Sequence, residues 1–197
     1  MHKRLTVRLV AASALICLVE SGFAANLVTN PDFDTDVSGW SPQVNATSSV
    51  TWAASPNRVG SPGSGSAAAA NTGSAFTVIR LTQCVSTGIT PGTIYDVGAW
   101  MRVNTAESGV VGADAFVSFF SAAGCGGNVL STIATSTAQL PMDTWVLRTA
   151  SGAAPPSAAS AEIFLEVFQQ SAGTYPFRSY FDGVLFGPDV LFANGFE

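Results

Sequence analysis

Three aspartates, Asp32, Asp34 and Asp36, alternate along one short stretch near the beginning of the chain. Calcium binds roughly six to eight oxygen ligands, mainly carboxylates and carbonyls, so a calcium loop could use this spacing. A self-contained EF-hand loop is excluded, because it needs a glycine where this sequence has Val37 and a glutamate where it has Gln43. The alternative is that Asp32 and Asp36 are turn residues and that Asp34 accepts backbone N–H groups.

Catalytic side chains are scarce, because the chain after residue 24 contains no histidine and no lysine. This composition excludes Ser-His and Cys-His nucleophile systems and His-ligated zinc. Glycosidases need two carboxyl groups about 5 to 9.5 Å apart, whereas Glu162 and Glu166 would lie about 13 Å apart along one strand. A cross-strand acid pair such as Glu166 with Asp114 stays open. The sequence therefore favours a protein that is not an enzyme.

The first 24 residues have the pattern of a secretory signal peptide. A basic start and an apolar run over 9–19 precede a small-residue stretch that ends at Ala24 and Ala25. We expect cleavage after Ala24, with Ala25 as the alternative, and therefore a secreted protein, extracellular or periplasmic. The apolar run is shorter than the roughly 20 residues that a membrane span needs, and no later segment could span a bilayer, so no membrane insertion is expected after signal removal.

The expected mature chain is acidic, because signal removal changes the net charge from −5 to −7 and leaves five arginines as the only cations. Such a chain is a poor partner for nucleic-acid backbones or anionic membranes, so no nucleic-acid binding is expected. Its 173 residues are the length of one domain. We assign 25–190 to that domain and interpret 191–197 as a short C-terminal tail.

Two cysteines, Cys84 and Cys125, remain after signal removal. In an exported chain an even pair predicts a disulfide bond. The bond would close a loop of about 41 residues and stabilise the fold by roughly 4 kcal/mol in the chain-entropy model. Two unpaired buried thiols are the alternative.

Alternation of apolar and polar residues, rather than a 3.6-residue period, dominates the chain after the signal. Clusters of Gly, Ser, Pro and Asn separate the alternating stretches, and we interpret 60–73 as a loop followed by an edge strand. Many short strands with turns between them predict an all-β antiparallel sandwich or barrel. The predicted strands cover 76–85, 93–103, 113–121, 145–149, 161–170 and 177–186.

Four motifs follow one another in a specific order. They are NLVTNPDFD at 26–34 followed by Gly39-Trp40, ITPGTIY at 89–95 leading to AWMR at 99–102, DTW at 143–145, and YFDGV at 180–184. This series resembles the CenC-type carbohydrate-binding modules, a family of galactose-binding-like jelly rolls, over nearly the whole mature chain. Pro31, Asp34 and Gly183 depart from the usual Gly, Glu and second Asp of that family. The resemblance implies an antiparallel β-sandwich with jelly-roll topology.

The resemblance also implies a structural calcium ion between the opening and closing strands. Modules of that family take one carboxylate from the position that Asp34 occupies here and one from the closing aspartate, which is Asp182. Asp34 and Asp182 are therefore the metal ligands that the resemblance implies, together with backbone oxygens.

Sugar rings bind where an aromatic face lies beside polar side chains that satisfy the hydroxyl groups. Trp100 beside Arg102 fits this description, and so does Glu166 between Phe164 and Phe168. If these two strands lay on one concave sheet, they would line a groove. The residues predicted to bind carbohydrate are Trp52, Arg80, Trp100, Arg102 and Glu166.

The sequence thus predicts a secreted, non-catalytic domain that binds a polysaccharide or another glycan. The alternative is an extracellular or envelope structural or adhesion protein that binds a protein partner through the same fold. The low content of charged residues, 11%, favours that alternative. An aromatic-lined groove would favour the first hypothesis, and a contiguous exposed apolar patch the second.

Overall fold

The computed structural model describes residues 25–73, 77–104, 111–136, 140–169 and 176–188. The predicted signal peptide, 1–24, and the predicted tail, 191–197, lie outside these residues. No helix long and apolar enough to cross a lipid bilayer is found in the described ranges. Within these ranges ten strands follow one another: β1 Ser41–Gln43, β2 Ser48–Ala53, β3 Ser66–Asn71, β4 Val78–Val85, β5 Ile94–Val103, β6 Val111–Ala122, β7 Gly126–Ala134, β8 Val146–Ala153, β9 Ser160–Gln169 and β10 Phe177–Gly187.

The strands form two antiparallel sheets of five strands each, packed face to face around one core. Sheet A has the order β1-β4-β9-β6-β7, and sheet B has the order β2-β3-β10-β5-β8. Both sheets combine strands from distant parts of the chain, so most pairings are non-local. The predicted all-β antiparallel sandwich is confirmed.

The core consists of the side chains that alternation directs inward from both sheets. Tyr95 is central to it, with ring centroids 5.3 Å from Phe186 and 5.8 Å from Phe119. The Tyr95 hydroxyl accepts a hydrogen bond from the Thr90 N–H at 2.7 Å and donates one to the Gly88 carbonyl at 2.8 Å. The buried ring therefore keeps its polar end satisfied.

Each of the six predicted strands corresponds to a strand of the structure, β4, β5, β6, β8, β9 or β10, within a few residues. The predicted ends at 76 and 170 lie outside the described residues. The interpretation of 60–73 is wrong in one respect, because β3 is not an edge strand. It pairs over its full length with β2, which the sequence did not predict, and on its other side with β10. The reason is that β3 is rich in alanine, whose small side chain fits a buried position on either face of a sheet.

The predicted disulfide bond between Cys84 and Cys125 is confirmed, with the two Cα atoms 5.9 Å apart. Cys84 lies near the end of β4, and Cys125 lies in the turn between β6 and β7. Since β9 lies between β4 and β6 in sheet A, the bond joins elements that are not direct neighbours in the sheet.

The opening segment, 26–40, runs beside β10 but is not a regular strand. The Leu27 N–H donates to the Phe186 carbonyl at 2.7 Å, and the Val184 N–H donates to the Pro31 carbonyl at 2.9 Å. Phe33 has a φ of 45°, a left-handed conformation that breaks a continuous ladder. The opening and closing segments are thus neighbours, as the resemblance implies, although only the closing one is a strand.

Candidate functional site

The residues predicted to bind carbohydrate do not share one face of the molecule. Trp100 and Arg102 lie on β5 in sheet B, whereas Glu166 lies on β9 in sheet A with Arg80 on the neighbouring β4. In both strands the alternate residues are buried in the core, so these side chains face outward on opposite sides of the sandwich. The condition for a shared groove is therefore not met, because the two strands belong to different sheets with the core between them.

Three charged side chains form a row across the outer face of sheet A. Arg80, Glu166 and Asp114 are successive Cα partners on β4, β9 and β6, and we call them the charged row. Arg80 Nε donates to Glu166 Oε2 over 2.5 Å. Asp114 is only 5% exposed, and its Oδ1 has no hydrogen-bond partner among the described residues. The row thus holds one paired and one unpaired carboxyl group.

Burial, and to a lesser extent repulsion from Glu166, raise the pKa of Asp114 to about 6 against the attraction of Arg80. The strand on the other side of β6 is β7, and it contains no ionisable residue that would counteract the rise in the pKa of Asp114. A carboxylate in such surroundings costs folding free energy, because its lost hydration is not replaced by hydrogen bonds. Ionisable groups whose pKa is shifted by burial and by a neighbouring charge are found more often at functional sites than elsewhere.

Aromatic rings flank the charged row on the same face. Phe116 and Phe164, the adjacent outward-facing pair of β6 and β9, stack with centroids 4.5 Å apart and planes 7° from parallel. Phe168 lies on the other side of Glu166 along β9, and all three rings are half-buried. Apolar ring surface beside carboxyl groups matches the two kinds of contact that a sugar offers, C–H faces and hydroxyl groups.

The predicted sugar-binding residues of sheet B already have partners. The Arg58 guanidinium carbon lies 5.4 Å from the centroid of the Trp100 ring. Arg102 donates to the Asp143 carbonyl at 2.7 Å and to the Asp143 carboxylate at 3.1 Å. Trp52, on the edge strand β2, is 39% exposed and donates its Nε1–H to the Phe33 carbonyl at 2.7 Å. Sugar binding by these three residues stays a prediction.

The two predicted metal ligands, Asp34 and Asp182, line one pocket of about 270 Å³. Asp32 and Arg58 line it too, and we call these four residues the acidic pocket. The structure thus brings together the carboxyl groups that the resemblance selects, and it adds a cation that the sequence did not indicate.

The acidic pocket does not suit a resident calcium ion. Both carboxylate oxygens of Asp182 accept backbone N–H groups, Oδ2 from Arg58 at 3.0 Å and Oδ1 from Gly183 at 2.7 Å. The Arg58 guanidinium lies 3.8 Å from the Asp32 carboxylate, where it would repel a metal ion. In the part of the chain that the structure describes, no three His, Cys, Asp or Glu side chains are grouped to hold a metal. Calcium at Asp34 and Asp182 stays a prediction that these contacts do not support.

Asp36 has the contacts of a turn residue. Its carboxylate accepts the Ser38 N–H at 2.8 Å and the Asn30 side-chain amide at 3.2 Å. Hydrogen bonds from Ser38, and a weaker one from Asn30, lower the pKa of Asp36 below its usual value. These contacts agree with the alternative reading of the alternating aspartates at this position.

Comparisons with known proteins bear on the fold. No protein-family model matches the chain, and no curated protein matches it. Among solved structures, a family-22 xylan-binding module from Paenibacillus barcinonensis aligns with a TM-score of 0.55 and 13% identity, over 80% of this chain and 97% of the module. This chain has the fold of a carbohydrate-binding module. A family-61 module in complex with β-1,4-galactotriose aligns with a TM-score of 0.50 and 17% identity, over 84% of this chain and 99% of the module.

Larger proteins contain the same fold as one part. The tailspike protein 4 of bacteriophage CBA120, solved as its enzymatically active domain, aligns with a TM-score of 0.60 and 20% identity over 83% of this chain. This chain spans 21% of that tailspike structure, and 28% of a Clostridium thermocellum xylanase structure with a family-22 module. The predicted resemblance to carbohydrate-binding modules is confirmed at the level of the fold.

Proposed function

We propose that this domain binds a polysaccharide, without catalysing a reaction, through the outer face of sheet A. The observation that carries the proposal is Asp114, a nearly buried carboxyl group next to Glu166 and Phe116 whose Oδ1 has no hydrogen-bond partner among the described residues. A rotation of the Asp114 side chain toward the surface would let it accept from a sugar hydroxyl the hydrogen bond that Oδ1 lacks in its buried position. The stacked pair of Phe116 and Phe164 would contact the apolar side of the same or the adjacent ring.

The pair of Asp114 and Glu166 fits binding better than glycoside hydrolysis. Glycosidase acids flank the scissile bond, one on either side of the sugar. Asp114 and Glu166 instead project side by side from directly paired positions of one sheet face, so both would approach the ligand from the same side. Glu166 is also held by Arg80, which favours a fixed hydrogen-bonding role.

The charge of the site favours a neutral glycan. The charged row contains two carboxyl groups and one guanidinium, and the chain as a whole is acidic. A polysaccharide rich in uronic acids would be repelled by both. Xylan and β-1,4-galactan are the first candidates, since the structural neighbours include a xylan-binding module and one solved with β-1,4-galactotriose. Export by the signal peptide belongs to the same proposal, because a disulfide bond persists outside the cytoplasm.

Two matched arginine variants test the position of the site. Arg80→Ala and Arg102→Ala each remove a partly exposed arginine that pairs with one carboxylate, but on opposite faces. We expect Arg80→Ala to weaken binding of a neutral polysaccharide by roughly tenfold or more, since a hydrogen bond to a charged group contributes about 1.5–3 kcal/mol. Arg102→Ala should bind as the unmodified protein does. Affinity electrophoresis against xylan, galactan and a uronic-acid polymer measures both.

The reverse outcome would contradict the proposed site. If Arg102→Ala lost affinity and Arg80→Ala did not, the ligand would lie on the Trp100 side of the molecule. If no polysaccharide retarded the unmodified protein, the proposed function itself would be wrong, and a protein partner would become the better hypothesis. Circular dichroism of each variant verifies that the fold is intact.

A further inference from the structure

The loop between β2 and β3 crosses β10 at an irregularity in that strand. The pairing of β10 with β5 shifts register between Asp182 and Leu185, and Gly183 there has a φ of 54°. A Cβ at residue 183 would lie 2.9 Å from Trp100 Cδ1 and 3.1 Å from Arg58 Nε. A glycine is needed here for both reasons, and its lack of a side chain lets Arg58 approach the strand closely.

Arg58 connects four segments of the chain at this point. Its backbone N–H donates to Asp182 on β10, and its guanidinium lies 3.8 Å from Asp32 in the opening segment. The same guanidinium lies over the Trp100 ring of β5, and the Arg58 side chain is only 26% exposed. A partly desolvated guanidinium over an aromatic face is attracted by the ring as well as by the carboxylates.

The acidic pocket would be unstable without a positive charge. Asp32, Asp34 and Asp182 all line it, and they come from two segments that are about 150 residues apart in sequence. Like charges that folding brings together repel, so a cation between them favours the docking of the opening segment on β10. In the described part of the chain, Arg58 is the cation that lines this pocket.

We propose that Arg58 supplies, from within the chain, the positive charge that holds the opening segment against β10, so that the protein needs no metal ion at this place. The arginine takes the position where the resemblance leads one to expect calcium. The proposal is independent of glycan binding, because the charged row lies on the other face of the sandwich.

Thermal unfolding of the disulfide-bonded protein, in millimolar EDTA and in millimolar calcium chloride, tests the proposal. We expect the same melting temperature in both solutions. Arg58→Ala should melt at least about 4 °C lower in EDTA, since a domain of this size loses roughly 2–4 °C per kcal/mol. Millimolar calcium should then restore part of this loss, because removal of the guanidinium leaves the pocket net negative, although no three described carboxyl groups are arranged as a metal site.

Arg102→Ala is the matched control, because it removes another arginine that pairs with an aspartate on sheet B. The melting temperature of Arg102→Ala should not respond to calcium. If the melting temperature of Arg58→Ala fell but did not respond to calcium either, Arg58 would have a structural role only and the proposal would be wrong. A melting temperature of the unmodified protein that falls in EDTA and returns with calcium would overturn the proposal. An unchanged melting temperature of Arg58→Ala would do the same. If Arg58→Ala does not fold, the EDTA comparison and a calorimetric calcium titration of the unmodified protein still decide.

Discussion

Asparagine in place of Asp114 is expected to raise the free energy of unfolding at about pH 8 by on the order of 1–3 kcal/mol. The folded-state pKa of Asp114 is raised to about 6 from an ordinary value of 3.8, so the folded protein holds this proton more tightly than the unfolded chain does. The contribution of Asp114 to the free energy of unfolding is therefore fully present below about pH 4 and is lost as the pH rises through about 6. Asparagine cannot ionise, so the variant avoids that loss.

Urea unfolding at about pH 4 and about pH 8 measures this effect as the difference between the two proteins. The pKa of Asp182 is also raised by burial to about 6, but that titration is common to both proteins and cancels in the difference. The difference should be near zero at the lower pH and largest at the higher pH. Equal stabilities at about pH 8 would show that Asp114 carries no such cost.

The same variant should bind the polysaccharide more weakly, by roughly tenfold. A group that destabilises the fold and improves binding is the usual trade-off at a functional site. Asp96→Asn is the matched control, because Asp96 is also nearly buried but lies on sheet B and accepts a hydrogen bond from Ser151. This control should bring no gain in stability and no loss of binding. Weaker binding by both variants would point to a general change of the fold instead.

Removal of the disulfide bond is expected to have the largest effect on stability of any change considered. Cys84→Ser combined with Cys125→Ser opens a loop of 41 residues, which costs about 4 kcal/mol in the chain-entropy model. For a domain of this size, the melting temperature should fall by roughly 8–16 °C. Differential scanning calorimetry of both proteins, with and without a reductant, measures it.

Reduction of the unmodified protein separates the effect of the disulfide bond from the effect of replacing the two cysteine side chains. The unmodified protein should lose stability when reduced, whereas the double serine variant should not respond. A reduced protein that melts within about 2 °C of the oxidised one would contradict the expected contribution of the cross-link. Binding of the polysaccharide at low temperature should survive in both, because neither cysteine belongs to the charged row.

Long alternating stretches predicted their strands well, and composition explains the ones that were missed. β5 and β9 each alternate over ten residues, so one face of each is buried and the pattern is clear. β2 and β7 lie at sheet edges and are largely exposed, so their inward positions are not consistently apolar. The β3 strand was predicted, but its position inside sheet B was not, because its alanine-rich sequence has no polar face that would tell an edge strand from a central one. Local pattern is informative only where burial differs between the two faces.

The sequence by itself predicted the disulfide pair, the strand-rich fold and the strand faces that carry Trp100 and Glu166, and export stays a prediction from the first 24 residues. Alternation fixes which side chains leave a strand on the same side, but it carries no information about which strand lies next to it. The tertiary structure alone decided that β4, β9 and β6 are neighbours, which forms the charged row, and that β5 belongs to the other sheet. It alone placed Arg58 among the aspartates, because that contact joins residues far apart in the chain.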